Sequence, residues 1–398
     1  MKILIVNKFL YSRGGDCIYT LNLGKLLHNA GHEIRFYAMN YSQNIQCNDN
    51  KFFAEEVSFT GIGLSGKAKA ASRIIWGTGV IQNFKRVLDE FQPDVVHLNN
   101  IHSYLSPIVA KLAYKRKIKV LWTLHDYKLI CPSYSCLCKE KPCEACFTNK
   151  GNVIFRKCMK NSLLASVLAW GEAINWNKNK LSVWTDHFIC PSQFMAEKMM
   201  QGGYPANKLH VIPNFIGEEQ AQYIMHTTTS TREEAYAYIG RLSEGKGIEF
   251  FLKVAVQLPY KLYIAGTGPL EDELKTKYTA NNIVFLGQLA AKDIIGLLKR
   301  VSFTVIPSIW YENNPLSVIE SLCCGTPVLG RNIGGIPELL ETNRCNRLFM
   351  KDEELPALIT EMFSSTTSTD RDELSATSLR RFSREQYYQK WLQIAERE

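Results

Sequence analysis

Short apolar runs alternate with amphipathic segments along most of the chain, and this alternation restricts the fold more than any other feature. Runs such as Lys2–Asn7, Glu33–Ala38 and Lys119–Thr123 are each followed by a segment with helical spacing of apolar residues. A run that is apolar on both sides suits a strand buried on both faces, and strands that alternate with helices form parallel sheets. The sequence therefore predicts an α/β fold with doubly wound parallel sheets.

The alternation is interrupted once. Residues Gly217–Glu234 contain the polar run His-Thr-Thr-Thr-Ser-Thr without an apolar period, and we interpret them as a linker. A chain of 398 residues exceeds the usual domain of about 150, so we expect two Rossmann-like domains, 1–215 and 216–381, and a last helix over about 382–398. Ligands of such sheets bind beyond the carboxyl ends of the strands, which makes the cleft between facing domains the expected site.

Charge is divided unevenly between the two halves. Residues 1–213 carry 27 Lys and Arg against 14 Asp and Glu, whereas residues 214–398 carry 20 against 24. The basic first half predicts an anionic partner, but no recognition motif supports nucleic acid. Neither a membrane-spanning stretch nor a signal peptide is expected, so the predicted location is cytoplasmic.

The segment 307–329 carries the clearest chemical pattern. A predicted strand ends at Pro307, a loop holds Glu312, and Pro315 stands where a helix would begin. The amides of Leu316 and Ser317 would then point from a positive helix end, which suits a phosphate. Glu320 lies further along the helix, where it could accept hydrogen bonds from ribose hydroxyls. Alternatively, the two glutamates are an ordinary loop carboxylate and a solvated helix residue.

Two further turns follow predicted strands. In Gly240–Gly247, Arg241 and Lys246 could bind phosphate oxygens of a diphosphate and replace a metal, or they could simply be solvated. The glycine turn at Gly266 is too short for a dinucleotide fingerprint, so a redox cofactor is not expected. Near the chain start, Gly15 could let a ligand approach the backbone, or it could relieve crowding in a turn.

Together these motifs resemble the retaining glycosyltransferases of family 4, which have the GT-B fold of two facing Rossmann-like domains. The resemblance covers nearly the whole chain, and the two glutamates eight residues apart with the Arg and Lys block upstream are its most specific part. The matching segments are Gly14-Gly15, Gly31–Ile34, His125–Tyr127, Pro191-Ser192, Pro213-Asn214, Gly240–Gly247, Gly266–Pro269, Glu312 with Glu320, and Gly334–Glu338.

The resemblance implies that the second domain holds a nucleotide-sugar donor. Glu312 would face the sugar hydroxyls near the reacting carbon, and Glu320 would bind the ribose. Arg241 and Lys246 would hold the diphosphate, so no metal and no further cofactor are expected. The remaining donor-binding residues implied in this domain are Gly266, Asn314, Leu316 and Ser317.

The resemblance also implies that the first domain binds the acceptor. His125 would approach the transferred sugar and Gly15 the phosphates, and the last helix would cross back onto this domain. Where many members have Glu-Gly-Phe-Gly, this chain has Glu312-Asn-Asn-Pro315, as in a branch with Tyr-Glu-Asn-x-Pro. Lys128 replaces a Trp that is common in that branch.

The predicted function is retaining transfer of a sugar, with UDP as the expected nucleotide, to a growing, lipid-linked cell-surface polysaccharide or glycolipid. Retention without an obvious nucleophile suggests front-face transfer with no enzymic general base. One alternative is a nucleotide-sugar epimerase on the same fold. A second is a catalytically silent binding subunit, against which the intact Arg241, Lys246, Glu312 and Glu320 argue.

Six cysteines lie between Cys131 and Cys158. Cys143 and Cys146 with Cys136 and Cys138 could form a tetrahedral zinc site. The spacings fit no standard zinc finger, and scattered cysteines are common after His-Asp-Tyr in similar chains, so no metal ligand is assigned.

The segment Gly66–Phe91 interleaves cations with apolar residues. Such a helix could lie on an anionic membrane surface with its aromatic residues at the headgroups, or it could pack its apolar face on the sheet. A second basic cluster at 111–119 favours the membrane. We therefore expect a peripheral protein at the inner face of the plasma membrane that meets a lipid-linked acceptor.

Overall fold

The structure is a computed structural model that describes residues 1–58, 63–228, 232–341, 343–364 and 367–397. The chain divides into two compact units. The first contains Met1–Cys138, Cys143–Ile212 and the residues from Tyr388 onward, and the second contains Lys139–Pro142 and Pro213–Tyr387. The functional domain limits 1–215 and 216–381 stay predictions.

The first unit is built on a six-stranded parallel sheet. Its strands are β1 (Lys2–Val6), β2 (Glu33–Tyr37), β3 (Val95–Leu98), β4 (Lys119–Thr123), β7 (His187–Cys190) and β8 (Leu209–Val211). Two short strands of the chain, β5 (Leu137–Cys138) and β6 (Lys141–Pro142), belong to neither six-stranded sheet. The order across the sheet is β2-β1-β3-β4-β7-β8. The side chains of Ile3 to Val6 are fully buried, as expected for a central strand covered on both faces.

The second unit repeats this plan. Its strands are β9 (Glu233–Ile239), β10 (Lys261–Ala265), β11 (Ile283–Gly287), β12 (Val301–Ile306), β13 (Val328–Arg331) and β14 (Arg347–Phe349), in the order β11-β10-β9-β12-β13-β14. All pairings are parallel. The strand order therefore reverses direction between β9 and β12 here, and between β1 and β3 in the first unit. These reversals are the switch points at which ligands of doubly wound sheets bind.

Helices connect the strands and flank the sheets. In the first unit they are α1 (Gly15–Asn29), α2 (Leu64–Trp76), α3 (Ile81–Phe91), α4 (Ile108–Lys115), α5 (Asn152–Phe155), α6 (Leu163–Asn175), α7 (Lys178–Trp184) and α8 (Gln193–Gln201). In the second they are α9 (Glu218–His226), α10 (Ile248–Ala255), α11 (Glu271–Lys277), α12 (Ala291–Arg300), α13 (Leu316–Cys323), α14 (Ile336–Leu340), α15 (Leu355–Ser364) and α16 (Ser368–Arg381). The last helix, α17 (Arg384–Ala395), begins in the second unit and ends in the first. None of the helices in the described ranges combines the length and the hydropathy that a bilayer crossing requires.

The predicted fold class is confirmed, because both sheets are parallel, doubly wound and flanked by helices. The interpretation of Gly217–Glu234 as a linker is wrong for most of the residues that the structure describes in this segment. Helix α9 occupies residues 218–226 and buries Ile224, and β9 begins at Glu233. The rest of the polar run, 229–231, lies outside the described residues.

The structure separates the buried from the exposed residues of Gly66–Phe91. The segment forms α2 and α3, and the apolar residues Ile74, Val80 and Phe84 are at most 5% exposed. Arg73, which was expected at a membrane surface, is fully buried and donates to the backbone carbonyls of Glu55 and Tyr104. Several apolar side chains of this segment therefore pack in the core, whereas Lys67, Lys69, Trp76, Lys85 and Arg86 are exposed. Contact of this segment with a membrane stays a prediction.

The end of α17 is anchored in the first unit by Trp391. Its indole is fully buried, and Nε1 donates to Nδ1 of His97 over 3.0 Å. Burial lowers the pKa of His97 to about 3, so the ring is neutral. Because an indole N–H can only donate, the proton of His97 lies on Nε2 and is donated to Thr123 Oγ1, 2.8 Å away.

We predict that Trp391→Ala lowers the free energy of unfolding by about 3–5 kcal/mol, because it leaves a large cavity and an unpaired acceptor on His97. Urea denaturation followed by circular dichroism measures this loss. Met350→Ala is the control, since Met350 is 71% exposed. Equal shifts for the two variants would contradict the anchoring role of Trp391.

Candidate active site

Three loops meet at the switch point of the second sheet. They follow β9, β10 and β12, and backbone hydrogen bonds join them: the amides of Ile309 and Trp310 donate to Gly245 O over 3.0 and 3.3 Å, and Leu242 N donates to Thr267 O over 3.0 Å. The loops that carry the predicted diphosphate cations and the predicted sugar-binding glutamate therefore form one connected backbone structure.

Two glycines make this close packing feasible. Gly266 has φ +136°, and a Cβ there would lie 2.1 Å from Gly240 O. Gly334 has φ +61°, and a Cβ there would lie 2.2 Å from Glu312 O. Larger residues at either position would both strain the backbone and push a neighbouring loop away. Gly266, predicted to bind the donor, thus has a demonstrable role in loop packing.

Glu312 is the electrostatic centre of these loops. It is 7% exposed, and its Oε1 accepts hydrogen bonds from Lys246 Nζ (2.7 Å), Ser308 Oγ (2.5 Å) and Trp310 Nε1 (2.9 Å). Burial alone would raise the pKa of Glu312, but the Lys246 ammonium and the three donors lower it overall. The carboxylate is therefore charged at neutral pH and held in a fixed position.

Lys246 and Arg241 have different surroundings. The Lys246 side chain is 22% exposed and its ammonium lies over the Trp310 ring, 5.0 Å from the centroid. Arg241 is exposed, and within the described residues its guanidinium forms no ion pair. The alternative in which both cations are simply solvated therefore does not hold for Lys246, whereas Arg241 is available to an anionic ligand.

Helix α13 starts next to Glu312. Pro315 is its N-cap, and the amides of Val318 and Ile319 donate to Pro315 O. Leu316 and Ser317 are the first two helical residues, whose amides have no acceptor inside an α-helix. This is the geometry predicted for a phosphate site.

Asn314, another predicted donor-binding residue, is 6% exposed and is engaged by the protein itself. Its Oδ1 accepts from Asn214 N over 2.9 Å, and its carbonyl accepts from Asn214 Nδ2 over 2.7 Å. Both residues belong to the second unit. The pair fixes the loop immediately before α13, so Asn314 positions the helix start.

Glu320 stands on α13 in a setting opposite to that of Glu312. It is partly exposed, and its one hydrogen-bond donor in the described chain is the amide of Gln220, 2.8 Å from Oε1. Burial raises the pKa of Glu320 to about 7, and the Gln220 hydrogen bond opposes this rise without cancelling it. No cation pairs with Glu320 among the residues that the structure describes, so hydroxyl donors of a ligand would favour its charged form.

The first unit has its own polar group at the ends of β3 and β4. His125 Nε2 lies 3.0 Å from Asn99 Oδ1, and its ring contacts Tyr19 edge-on. Burial lowers the pKa of His125 to about 4, although Asp16 and Asp126 raise it. The neutral ring donates from Nε2 to Asn99, which makes Nδ1 an acceptor. A small pocket beside it is lined by Asn99, Trp122, His125 and Asp126 among others.

Gly15 begins helix α1, after the loop that follows β1. Its amide is thus the first of a 15-residue helix, at the switch point between β1 and β3. The next residue, Asp16, pairs with Lys8 at 3.7 Å. Burial would raise the pKa of Asp16, but Lys8 and His125 lower it overall. The structure therefore places the two site residues predicted in this unit, Gly15 and His125, on neighbouring parts of one sheet edge.

Sequence reasoning missed a buried ion pair in the first unit. Lys128 Nζ lies 2.8 Å from Glu172 Oε2 and donates to Pro132 O over 2.7 Å. Burial would raise the pKa of Glu172, but Lys128 and His102 lower it to about 2. The pair ties the His125–Lys128 loop to α6. The signal was Lys128 itself, a cation where Trp is common in that branch.

The cysteines between Cys131 and Cys158 are free thiols, and Cys131, Cys136 and Cys146 are buried. In the part of the chain that the structure describes, no group of three or more His, Cys, Asp or Glu side chains could hold a metal ion. The zinc alternative therefore gains no support from the side-chain geometry.

Comparison with known families covers nearly all of the chain. The family model "Glycosyltransferase Family 4" matches residues 13–220, and the model "Glycosyl transferases group 1" matches residues 223–376. An uncharacterized 42.6 kDa protein in the cps region of Klebsiella pneumoniae is 26% identical over 356 residues, which are 85% of this chain and 87% of that protein. Alpha-galactosylglucosyldiacylglycerol synthase of Streptococcus pneumoniae is 22% identical over 54% of this chain and 61% of its own length.

Solved structures share the fold at low identity. The Anabaena protein HepE in complex with UDP-glucose superimposes with a TM-score of 0.66 and 17% identity, covering 100% of this chain and 98% of HepE. The lipopolysaccharide outer core galactosyltransferase WaaB gives a TM-score of 0.61 with 15% identity and 99% coverage of both chains. The two parallel six-stranded sheets of this chain, together with these superpositions, correspond to the GT-B fold.

We predict that Lys246→Met lowers the free energy of unfolding by about 1–3 kcal/mol, because it leaves the buried Glu312 without its cation. The double variant Lys246→Met/Glu312→Gln should recover most of this loss, and Arg241→Met should change stability by less than about 0.5 kcal/mol. Since the pKa of Glu312 is lowered on folding, the pair stabilises above the unfolded pKa and loses this effect as the pH falls. Midpoints of urea denaturation measure these changes in stability. Equal losses for Lys246→Met and Arg241→Met would contradict the coupling between Lys246 and Glu312.

Glu320→Gln should stabilise the protein at pH 8.5 and have little effect at pH 5. The raised pKa of about 7 means that the charged form is disfavoured by folding, so this penalty is present above pH 7 and disappears toward the unfolded pKa. Solvent screening of a partly exposed group reduces the full effect, and we expect a gain of roughly 1–2 kcal/mol. Thermal melts at the two pH values measure it. A gain that is independent of pH would contradict the assigned pKa shift.

Proposed function

This chain belongs to glycosyltransferase family 4, and from that premise we propose that it transfers a sugar, with retention at the anomeric carbon, from a UDP-sugar to a growing lipid-linked glycan or glycolipid. The observation that carries the proposal is the group at the switch point of the second sheet. There, a buried Glu312 holds Lys246, an exposed Arg241 has no ion-pair partner in the described chain, and α13 begins.

The positive charges at the switch point of the second sheet are suited to binding a diphosphate. Arg241 can bind two phosphate oxygens through its planar fork, while Lys246 supplies a point charge held in place by Glu312 and Trp310. The amides of Leu316 and Ser317 add the partial positive charge of a helix start. We propose that these groups stabilise the charge that develops on the leaving diphosphate, the part that a divalent cation plays in other enzymes.

The two glutamates would bind the two sugars of the donor. Glu320 would accept hydrogen bonds from ribose hydroxyls, and its affinity for them would fall below pH 7 as the carboxyl takes up a proton. Glu312 would face the hydroxyls of the transferred sugar near the reacting carbon. Its fixed position makes it suitable for orienting that sugar, because three donors prevent the carboxylate from turning.

We propose that transfer takes place on one face of the donor sugar. The bond from the anomeric carbon to the phosphate oxygen breaks, and its electron pair goes to the leaving UDP. The acceptor oxygen forms the new bond on the same face and passes its proton to the departing phosphate. His125, neutral and with Nδ1 as an acceptor, would bind a hydroxyl of the transferred sugar and take no proton from the acceptor.

The choice of UDP and of a cell-envelope acceptor is supported by similar proteins. HepE, which shares the fold, was solved with UDP-glucose, and a Streptococcus pneumoniae relative is named as a diacylglycerol glycolipid synthase. The Klebsiella pneumoniae relative is described as a protein of the cps region. We extend these properties to this chain as a proposal, together with a location at the inner face of the membrane.

The rival functions are separable. A silent binding subunit would bind the donor without cleaving it, whereas an enzyme is expected to hydrolyse the donor slowly when no acceptor is present. An epimerase would need an acid and a base beside the sugar ring, and neither was assigned from the sequence. Release of UDP from a UDP-sugar, followed by chromatography, distinguishes the transferase from both.

We predict that UDP gives the largest thermal shift in a panel of UDP, GDP and ADP with their sugars. A nucleotide at about 100 times its dissociation constant adds roughly 2.7 kcal/mol of stability. Glu320→Gln should mainly weaken UDP binding, and Glu312→Gln should mainly lower kcat, because the two residues would contact different parts of the donor. If no nucleotide shifts the melting temperature, the donor site is assigned wrongly; if the two variants exchange effects, their roles are reversed.

A further inference from the structure

Helix α6 exposes apolar side chains along one face. Leu163, Val167, Trp170 and Ile174 recur at helical spacing and are 54%, 41%, 38% and 48% exposed, and the adjacent Leu164 is 76% exposed. Phe155 on α5, which packs against α6, is 82% exposed. We call these six residues the α6 patch. A contiguous exposed apolar surface of this kind normally marks an interaction site.

The opposite face of α6 is polar and buried. Ser166, Ala169 and Glu172 point into the first unit, where Glu172 pairs with Lys128 and Ser166 Oγ accepts from Met159 N. The helix is therefore fixed in an orientation that places its small and polar residues inside and its large apolar residues in solvent. This is the reverse of an ordinary surface helix, so rotation of α6 cannot bury the patch without breaking the ion pair.

Charge around the patch is strongly positive. Between residues 150 and 184 the chain has six cations and a single carboxylate, Glu172, which is buried and already paired. The exposed cations are Arg156, Lys157 and Lys160 before α6 and Lys178 and Lys180 after it. An anionic surface would therefore meet exposed cations at both ends of the apolar stripe.

The neighbouring helix α2 extends this surface. Asn175 Nδ2 donates to Ile75 O over 2.6 Å and Trp176 Nε1 donates to Ile74 O over 2.9 Å, which fixes the end of α2 beside the end of α6. The next residue, Trp76, is 63% exposed. Between 63 and 88 the sequence contains no Asp or Glu. Tryptophan beside lysine is typical of groups that lie at lipid headgroups.

We propose that the α6 patch, with its flanking cations, docks on the headgroup region of an anionic lipid bilayer. The proposal rests on the proposed function, because a lipid-linked acceptor requires the enzyme to reach the bilayer. A second copy of the chain fits the patch less well, since a two-fold interface would bring Lys157 and Lys160 close to cations of the other copy. The surface differs from the one expected at Gly66–Phe91, of which Trp76 alone is a large exposed apolar residue among the described side chains.

Vesicle sedimentation of the full chain tests the proposal. We expect binding to phosphatidylcholine vesicles with about 30% phosphatidylglycerol at about 50 mM salt, weak binding to pure phosphatidylcholine, and release at about 500 mM salt, where charges are screened. Leu164→Ser/Trp170→Ser and Lys157→Glu/Lys160→Glu should each lower the bound fraction about fivefold or more. Met350→Ser in the second unit is the matched control for an exposed apolar residue and should bind like the wild type.

Brominated lipids give a second readout. They quench tryptophan at headgroup depth, and the quenching should be lost in Trp76→Phe/Trp170→Phe, which keeps two aromatic rings in place. Equal binding to neutral and anionic vesicles, or no binding to either, would overturn the proposal. It would also be overturned by a dimer in light scattering that Leu164→Ser/Trp170→Ser disperses, because the occupant would then be a second copy.

The same samples separate this proposal from the proposed function. The thermal shift with UDP depends on residues of the second unit, so the patch variants should retain it. If the wild-type protein binds anionic vesicles but no nucleotide, the docking proposal stands and the proposed donor site is wrong. If it binds UDP but no vesicles, the donor site stands and the docking proposal is wrong.

Discussion

The buried carboxylate of Glu312 is the constraint on which the second unit depends. A charge that is 7% exposed is tolerated because Lys246, Ser308 and Trp310 all donate to one oxygen. Those donors belong to two loops, so satisfying one carboxylate also fixes the loops to each other. With the loops held together in this way, the backbone amides of Ile309 and Trp310 lie within hydrogen-bond distance of Gly245 O. Preorganisation of the cation and stability of the loops are consequences of the same interaction.

Glu312 and Glu320 show how two like residues eight positions apart acquire opposite properties. Glu312 has a cation and three donors, so its pKa is lowered although it is buried. Glu320 has one neutral donor, Gln220, so burial prevails and raises its pKa to about 7. The first is a permanent charge that can orient ligand and lysine together. The second has a pKa near neutrality, so hydroxyl donors that bind to it would favour its charged form and couple its ionisation to ligand binding.

The sequence was sufficient for the parallel sheets because each central strand is a short apolar run such as Ile3 to Val6, and for the site loops because they follow those strands directly. It was insufficient where tertiary contacts override local pattern. Helix α9 lies in a segment without an apolar period because only Ile224 is buried in it. Lys128 and Glu172 are 44 positions apart, so their pairing has no local signal. The basic segment Gly66–Phe91 has the composition of a surface helix, yet the fold buries Arg73 by giving it backbone acceptors.

The Lys128–Glu172 pair also connects two surfaces of the first unit. On one side it fixes the loop that begins at His125, and on the other it fixes the rotation of α6, so that Trp170 and Ile174 face solvent. A pair of this kind is weak evidence for stability, since well-packed apolar residues would serve as well. We infer that its benefit is orientational, because the pair holds Glu172 inside the first unit and the apolar stripe of α6 on the opposite face of the helix. In the proposed docking mode, the cations that flank α6 would keep the protein dispersed and direct the apolar face of the helix to an anionic surface.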